Sequence, residues 1–182
     1  MIRRCHWCNE KNPLYVDYHD HEWGVPVHDD RKLFEMLLLE TFQAGLSWEC
    51  VLVKREAFRR AFDGFDFRLI ASYDEEKMEQ LRADPSIIRN RLKIRAAVNN
   101  ARVFISIENE WDTFDRYIWS FTDGHIIREI GKTTSPLSDR VSLDLRRRGM
   151  KFVGSTIIYS YLQAIGIINS HEPECWVRQG SV

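Results

Sequence analysis

Residues of metal-ligating type stand at both ends of this chain: Cys5, Cys8 and His19 at the start, His171 and Cys175 in the last dozen positions. If the two ends share one ion, the fold must return its C-terminus to its N-terminus, and few topologies do that. His171 and Cys175 are spaced to share one face of a helical turn, and two N-terminal donors would complete a tetrahedral sulfur and nitrogen set. Two choices fit. Cys5-x2-Cys8 with His171-x3-Cys175 has the spacing of a knuckle plus a helical pair, whereas Cys5 with His19 closes a longer loop at little extra entropy. Spacing alone slightly favours the knuckle. Either set is closed, with no open position for water, so the ion would brace the chain and leave the chemistry elsewhere.

At 182 residues the chain can bury a sizeable core without cross-links. Four cysteines, unevenly spread, do not make a secreted disulfide framework, and Met1-Ile-Arg-Arg-Cys leads into no apolar signal segment, so the expected location is cytoplasmic. Apolar runs such as Met36 to Leu39 fall far short of the roughly 20 residues that span a bilayer, which excludes a membrane protein. A net charge of -1 exerts no general pull on polyanions, so nucleic-acid binding requires basic residues concentrated locally.

The apolar spacing predicts helices almost throughout and no convincing strand, an all-α chain. Asp29 and Asp30 cap a helix to about Gly45, and Ser47 caps the next, whose Val51, Leu52, Phe58 and Phe62 share a face up to Gly64. Ser72 with Glu75 forms a capping box, and Pro85 starts a long helix carrying Ile87, Ile94, Val98, Ala101 and Ile105. Thr113 begins another helix, residues 122–137 form the longest loop, and Ser138 starts a helix ending at Gly149. A last apolar helix bears Ile157, Ile158, Tyr161, Leu162 and Ile165.

Two further groups carry chemistry. Trp7, Tyr15, Tyr18, Trp23 and Trp48 crowd the first 48 residues beside Glu22, Glu40 and Gln43. Aromatic faces stack flat heterocycles for about 1–3 kcal/mol each, and a buried acid or amide can fix a hydrogen-bonding edge. A plain aromatic core accounts for the same rings; Glu40, a lone acid after Leu37-Leu38-Leu39, is costly there unless it is used. The basic stretch Arg82, Arg89, Arg91, Lys93, Arg95 and Arg102 fits either a phosphate clamp at a helix start or a solvated face. Arg146-Arg147-Arg148 closes a helix and suits its dipole.

Together, Tyr15-x2-Tyr18-His19-Asp20-x-Glu22-Trp23-Gly24-Val25-Pro26, Leu33-Phe34-Glu35-Met36 and Glu40-x2-Gln43-Ala44-Gly45-Leu46-Ser47-Trp48 closely resemble the 3-methyladenine DNA glycosylase I family. Phe65-Asp66, Ile87-Ile88-Arg89-x-Arg91-x-Lys93-Ile94, Asn100-Ala101-Arg102, Trp119-Ser120-Phe121, Gly149-x-Lys151-Phe152-Val153-Gly154 and His171-x3-Cys175 continue the series in order over essentially the whole chain. The resemblance implies an all-α helix-hairpin-helix glycosylase, a single domain over 1–182. Its termini, about 1–25 and 150–182, would form a zinc-anchored subdomain, and its middle, about 30–120, would carry base pocket and hairpin. It implies one structural Zn2+ per chain on Cys5, His19, His171 and Cys175, which leaves Cys8 aside.

By the same resemblance, Glu40 is the catalytic group and accepts from the exocyclic amine of a flipped adenine. Tyr18 adds a hydrogen bond, Trp48 stacks, and Trp7 and Tyr15 complete the base pocket. Gly45 and Leu46 fill the gap left in the duplex, and Arg89, Arg91 and Lys93 belong to a phosphate-gripping hairpin over 84–94. The implied reaction is monofunctional hydrolysis of the N-glycosidic bond of 3-methyladenine in double-stranded DNA containing alkylated purines, by a monomer, without lyase activity. A non-catalytic, zinc-stabilised damage-sensing domain is the alternative. Ser86 and Leu92 stand where related sequences often carry glycine, which bears on how closely a phosphate approaches the hairpin.

Overall fold

The first helix, α1 (Pro13–His21), was not anticipated. It is short, with aromatic and polar residues in place of an apolar stripe, and it starts where Asn12 accepts from Leu14 N with Pro13 in the first turn. In this computed structural model residues 2–179 are described. Met1 and 180–182, the extremes of the expected 1–182 domain, lie outside them.

Helix α2 (Asp30–Gln43) is capped by Asp29, whose side chain accepts from Lys32 N. Its residues Leu33 to Phe42 are all buried, so it forms the axis of the molecule. Ser47 caps α3 (Trp48–Leu52) as expected, but the helix stops there, and α4 (Arg55–Ala61) follows as a separate element. A tight turn over Asp63–Phe65, with Gly64 at positive φ, leads to α5 (Phe67–Ala71), capped by Asp66. The predicted capping box at Ser72 is replaced. Ser72 closes α5, and Asp74 caps α6 (Glu75–Ala83) by accepting from Lys77 N.

The long helix α7 (Arg91–Trp111) begins at Asn90, later than the Pro85 start predicted. Asp84 Oδ1 accepts from Ser86 N (2.8 Å) and Ser86 Oγ (2.6 Å), which folds 84–86 into a turn, and Asn90 then supplies the cap by accepting from Lys93 N. The segment between α6 and α7 is therefore a hairpin-like turn joining two helices. Thr113 caps α8 (Phe114–Ser120) as expected. Ser135 and Ser138 form a capping box at the start of α9 (Pro136–Arg147), and α10 (Ser155–Ala164) packs against both α9 and α2. A two-residue parallel pair, β1 (Ile127–Arg128) with β2 (Ile168–Asn169), ties the long loop to the C-terminal segment, and α11 (Trp176–Gln179) follows. The strands escaped prediction because two residues carry no readable alternation.

One hydrophobic cluster extends from Cys5 to Cys175, so the chain ends share the core of the middle. The N-terminal segment is docked by backbone bonds from Gly24 N to Gln163 O (3.0 Å), Val27 N to Ile165 O (3.0 Å) and Trp176 N to Arg3 O (2.9 Å). Gly166 makes that closure possible: at φ +78, a Cβ there would lie 2.3 Å from the carbonyl carbon of Val25. No helix among the described residues is long and apolar enough to cross a membrane.

Gly166→Ala should therefore cost at least about 2 kcal/mol more than Gly124→Ala, since both add left-handed strain but only Gly166 adds overlap with backbone. Urea unfolding of the two variants checks this, and equal midpoints would remove the close-approach argument.

Candidate functional site

The cavity at the junction of α1, α2, α3 and α10 has a volume of about 410 Å3 and is lined by Trp7, Tyr15, Tyr18, Trp48 and Glu40 together with Trp23 and Gln43. The residues expected in the base pocket are thus brought together. Tyr18 sits on the inward side of α1, and its ring is 5.2 Å from that of Trp48 at the start of α3. Trp7 meets Tyr15 edge-on at 5.4 Å and Trp23 at 4.7 Å. Glu40 comes from the next-to-last turn of α2, is 3 % exposed, and its Oε2 has no hydrogen-bond partner. Burial pushes its carboxyl up to about 8. Trp48 Nε1 is likewise buried and unpartnered. An orphaned acceptor and an orphaned donor on one cavity define a site waiting for a polar ligand.

Glu22, predicted with this group, lies elsewhere. Arg55 donates to Glu22 Oε1 (2.8 Å) and Oε2 (2.9 Å) and to Glu35 Oε1 (2.7 Å), joining α1, α2 and α4. Burial would push the Glu22 carboxyl up, but the Arg55 bonds and the charge of Lys32 overcome that and hold it at about 2.

The turn after α2 carries Gly45 at φ +82 and Leu46, which is 40 % exposed. Leu46 N donates to Gln43 O (2.7 Å), and Gln43 Nε2 returns a bond to Leu46 O (3.1 Å). Arg89 and Arg91 are exposed, and neither pairs with a carboxylate among the described residues, whereas Arg82 and Arg95 hold Glu79 and Glu75. The expectation that Lys93 grips phosphate is corrected. Lys93 is 6 % exposed, and its Nζ donates to Phe42 O (2.7 Å) and Ala44 O (2.6 Å), so it closes the end of α2 and fixes the Gly45-Leu46 turn. Arg148, which the sequence suited only to a helix dipole, pairs with Glu110 and Asp144 and lies over the Tyr117 ring.

Beside the aromatic cage, Cys5, His19, His171 and Cys175 are all buried, with donor atoms within 4.8 Å of one another. Cys5 Sγ is 3.6 Å from His171 Nδ1, and Cys175 Sγ is 3.5 Å from His171 Nδ1 and 3.6 Å from His19 Nε2. A tetrahedral ion with sulfur at about 2.3 Å and nitrogen at about 2.0–2.1 Å sets such edges near 3.5 Å. The outer ring nitrogens are already committed: His19 Nδ1 to Asp20 Oδ1 (2.7 Å), and His171 Nε2 to Trp23 O (3.0 Å). That leaves the inward nitrogens as lone-pair donors. Asp20 is clamped in turn by Arg4 through three contacts of 2.7–3.0 Å. Gly24 admits the His171 ring, which lies 3.2 Å from where a Cβ would be. Cys8, favoured by spacing, is outside the cluster; its Sγ faces Tyr15 O at 4.0 Å. His19 replaces it because α1 turns its inner face, Tyr18 and His19, toward the C-terminal segment.

Several lining residues had no sequence signal: Ile130, Lys132 and Thr133 in the long loop, Ser160 and Gln163 on α10, and Ser170 after β2. They lie more than 80 positions from the aromatic cluster, and the β1–β2 pair ties the loop beside the cavity.

The chain matches the methyladenine glycosylase family over residues 7–179. It is 45 % identical over 187 residues to DNA-3-methyladenine glycosylase 1 of Escherichia coli K12, covering 99 % of each chain. It superposes on a crystal structure of 3-methyladenine DNA glycosylase I with a TM-score of 0.92 at 46 % identity, covering 96 % of this chain and 98 % of that one. A phenylalanine-for-tyrosine variant of a 3-methyladenine DNA glycosylase I in complex with 3-methyladenine gives 0.91 at 32 % identity, covering 95 % and 97 %.

Because Glu40 titrates at about 8 in the folded chain, above the ordinary carboxylate range, the folded state keeps a proton that the unfolded state has released between those values, and stability falls as pH rises through that window. Glu40→Gln should match wild type at about pH 4 and be more stable by on the order of 3 kcal/mol at about pH 8. Calorimetry at both pH values checks it; a gain independent of pH would show that ionisation is not the cause.

Proposed function

The chain belongs to the methyladenine glycosylase family, and from that membership we propose that it releases 3-methyladenine from alkylated DNA through the cavity closed by Glu40. It is a DNA-3-methyladenine glycosylase, a hydrolase of the N-glycosyl bond acting in base-excision repair. The observation that carries the site is the buried, unpartnered carboxyl of Glu40 on an aromatic cavity. A purine methylated at N3 is cationic in DNA, so the bond from its N9 to the sugar C1′ is already weak. That bond breaks with its electron pair passing to the purine, which leaves neutral; water forms the new bond to C1′ and loses a proton.

Little acid assistance is needed, and the protein's task is selection. Glu40 accepts from the exocyclic amine, Tyr18 adds a bond at the base edge, and Trp48 stacks with Trp7 and Tyr15 as walls. A cation in this low-dielectric site compensates the ionisation of Glu40, whereas neutral adenine does not. Outside the cavity, Leu46 on the Gly45 turn fills the space of an extruded nucleotide, and Arg89 and Arg91 hold phosphates beside the 84–90 turn. Lys93 supports the reading as the residue that fixes the Leu46 turn.

The donor set suits one zinc ion on Cys5, His19, His171 and Cys175. With all four positions taken by protein donors, such an ion would supply no reactive water; these residues would hold it so as to tie about 1–25 to 150–182 and, through Trp23, brace the wall that holds Trp7.

Glu40→Gln should lower release of 3-methyladenine from methylated duplex DNA by at least about 100-fold, measured by chromatography of the freed bases. The wild-type kcat/KM should rise toward about pH 8 and level above it as Glu40 ionises, a limb that Glu40→Gln lacks. Normal release by the variant would refute the assignment. Elemental analysis should find one zinc per chain in wild type and in Cys8→Ser but a deficit in His19→Ala; the reverse pattern would restore the Cys5-Cys8 knuckle.

A further inference from the structure

We propose that the cavity wall made by the loop after β1, by α10 and by the residue after β2 receives the sugar-phosphate of the extruded nucleotide, with Lys132 as its phosphate ligand. The proposal rests on the base occupying the aromatic part of the same cavity. The cavity is larger than one flat purine fills, and its lining changes character away from Trp48 and Glu40. Lys132 and Thr133 in the loop, Ser160 and Gln163 on α10, and Ser170 contribute ammonium, hydroxyl and amide groups. Those are groups that hold phosphate and sugar oxygens in nucleic-acid complexes.

The wall is built rather than incidental. Ile127 N donates to Ile167 O (2.8 Å) and Glu129 N to Asn169 O (3.3 Å), which pins the loop beside Ser170, and Gln163 Nε2 donates to Ser170 Oγ (2.7 Å). Gly131 at φ +71 lets the chain reverse between Ile130 and Lys132. Lys132 is half-exposed, and its Nζ donates to Glu129 Oε1 (3.0 Å), which uses one of three ammonium donors and leaves two.

Charge decides the role of this lysine. The acids around this wall, Glu129 and Glu172, would repel a phosphate. Glu172 is paired with His6 at the cavity rim, and Lys132 takes Glu129 Oε1, while Glu129 Oε2 stays buried with no hydrogen-bond partner among the described residues. With the base inside, the sugar stands at the mouth and its flanking phosphates lie outside it; Lys132 is the one lysine or arginine lining the cavity among the described residues. Glu129 is thus a positioning residue, aiming Lys132 along the rim.

The test uses the full chain with a duplex carrying a tetrahydrofuran abasic analogue, the same duplex undamaged, and free 3-methyladenine. Lys132→Gln should weaken binding to the abasic duplex by about fivefold and reduce its salt slope by about one, and should affect the undamaged duplex less. Lys132→Arg should restore affinity. Free 3-methyladenine, followed by tryptophan fluorescence, should bind Lys132→Gln as it binds wild type. Unchanged affinity and salt slope on the abasic duplex would overturn the proposal, as would an equal loss on both duplexes. Failure of wild type to bind free 3-methyladenine would count against the base assignment instead, because the abasic duplex reports the phosphate contact without any base.

Discussion

Cys5 Sγ and Cys175 Sγ approach the same nitrogen of His171, at 3.6 and 3.5 Å, and this contact between the two chain ends is the one on which the cavity depends. The rings that build the cluster also build the cage. Trp23 meets both His171 and Trp7 edge-on at 4.7 Å, while Trp7 leans on His19 at 5.2 Å. An opening of the termini would remove the support of Trp7 and free α1, which carries Tyr15 and Tyr18. Gly24 and Gly166 mark where the approach is closest, one beneath the His171 ring and one against the Val25-Pro26 peptide. A side chain at either position would push apart segments that the cage needs together.

The second support lies at the C-terminal end of α2. Lys93 runs from the first turn of α7 under the end of α2 and takes two carbonyls that the helix leaves unpaired. Its charge is thereby used inside the molecule, and the turn with the exposed Leu46 gains a fixed exit from the helix. Of the basic stretch, Arg89 and Arg91 stay exposed, with no carboxylate partner among the described residues. The hairpin and the Leu46 turn are thus set in one register by a single buried ammonium, so whatever binds one surface meets the other at a defined distance.

Helix starts were legible at Asp29, Ser47 and Thr113, where a cap stands next to an apolar run, but the start expected at Ser138 lies three residues earlier, because Ser135 caps α9 and Ser138 completes its capping box. Starts were also misplaced where a local turn intervened: Ser72 spends its hydroxyl on Leu69 O (2.6 Å) and leaves the cap to Asp74, and the Asp84–Ser86 turn delays α7 to Asn90. The aromatic cage and Glu40 were visible because α1, α2 and α3 are close in sequence. The polar wall was not, since Lys132, Gln163 and Ser170 meet the cage only through tertiary packing. Local spacing also preferred Cys8 over His19, and only the orientation of α1, with Tyr18 and His19 both inward, decides that choice in three dimensions.

Helix α2 offers an internal contrast in how buried acids are treated. Glu35 and Glu40 are 4 % and 3 % exposed on the same helix. Glu35 receives Arg55 (2.7 Å) and Arg59 (2.9 Å), and Arg55 extends the network to Glu22; its charge is fully answered, so it joins helices and does no more. Glu40 receives nothing at Oε2, and burial raises its carboxyl to about 8. The unanswered acid costs the fold stability whenever it ionises, and no cation among the described residues pairs with it. A chain able to place Arg55 between two carboxylates has the means to pair a third. Leaving Glu40 unpaired keeps an unspent acceptor on the cavity, and a cationic ligand would answer its charge where a neutral one would not.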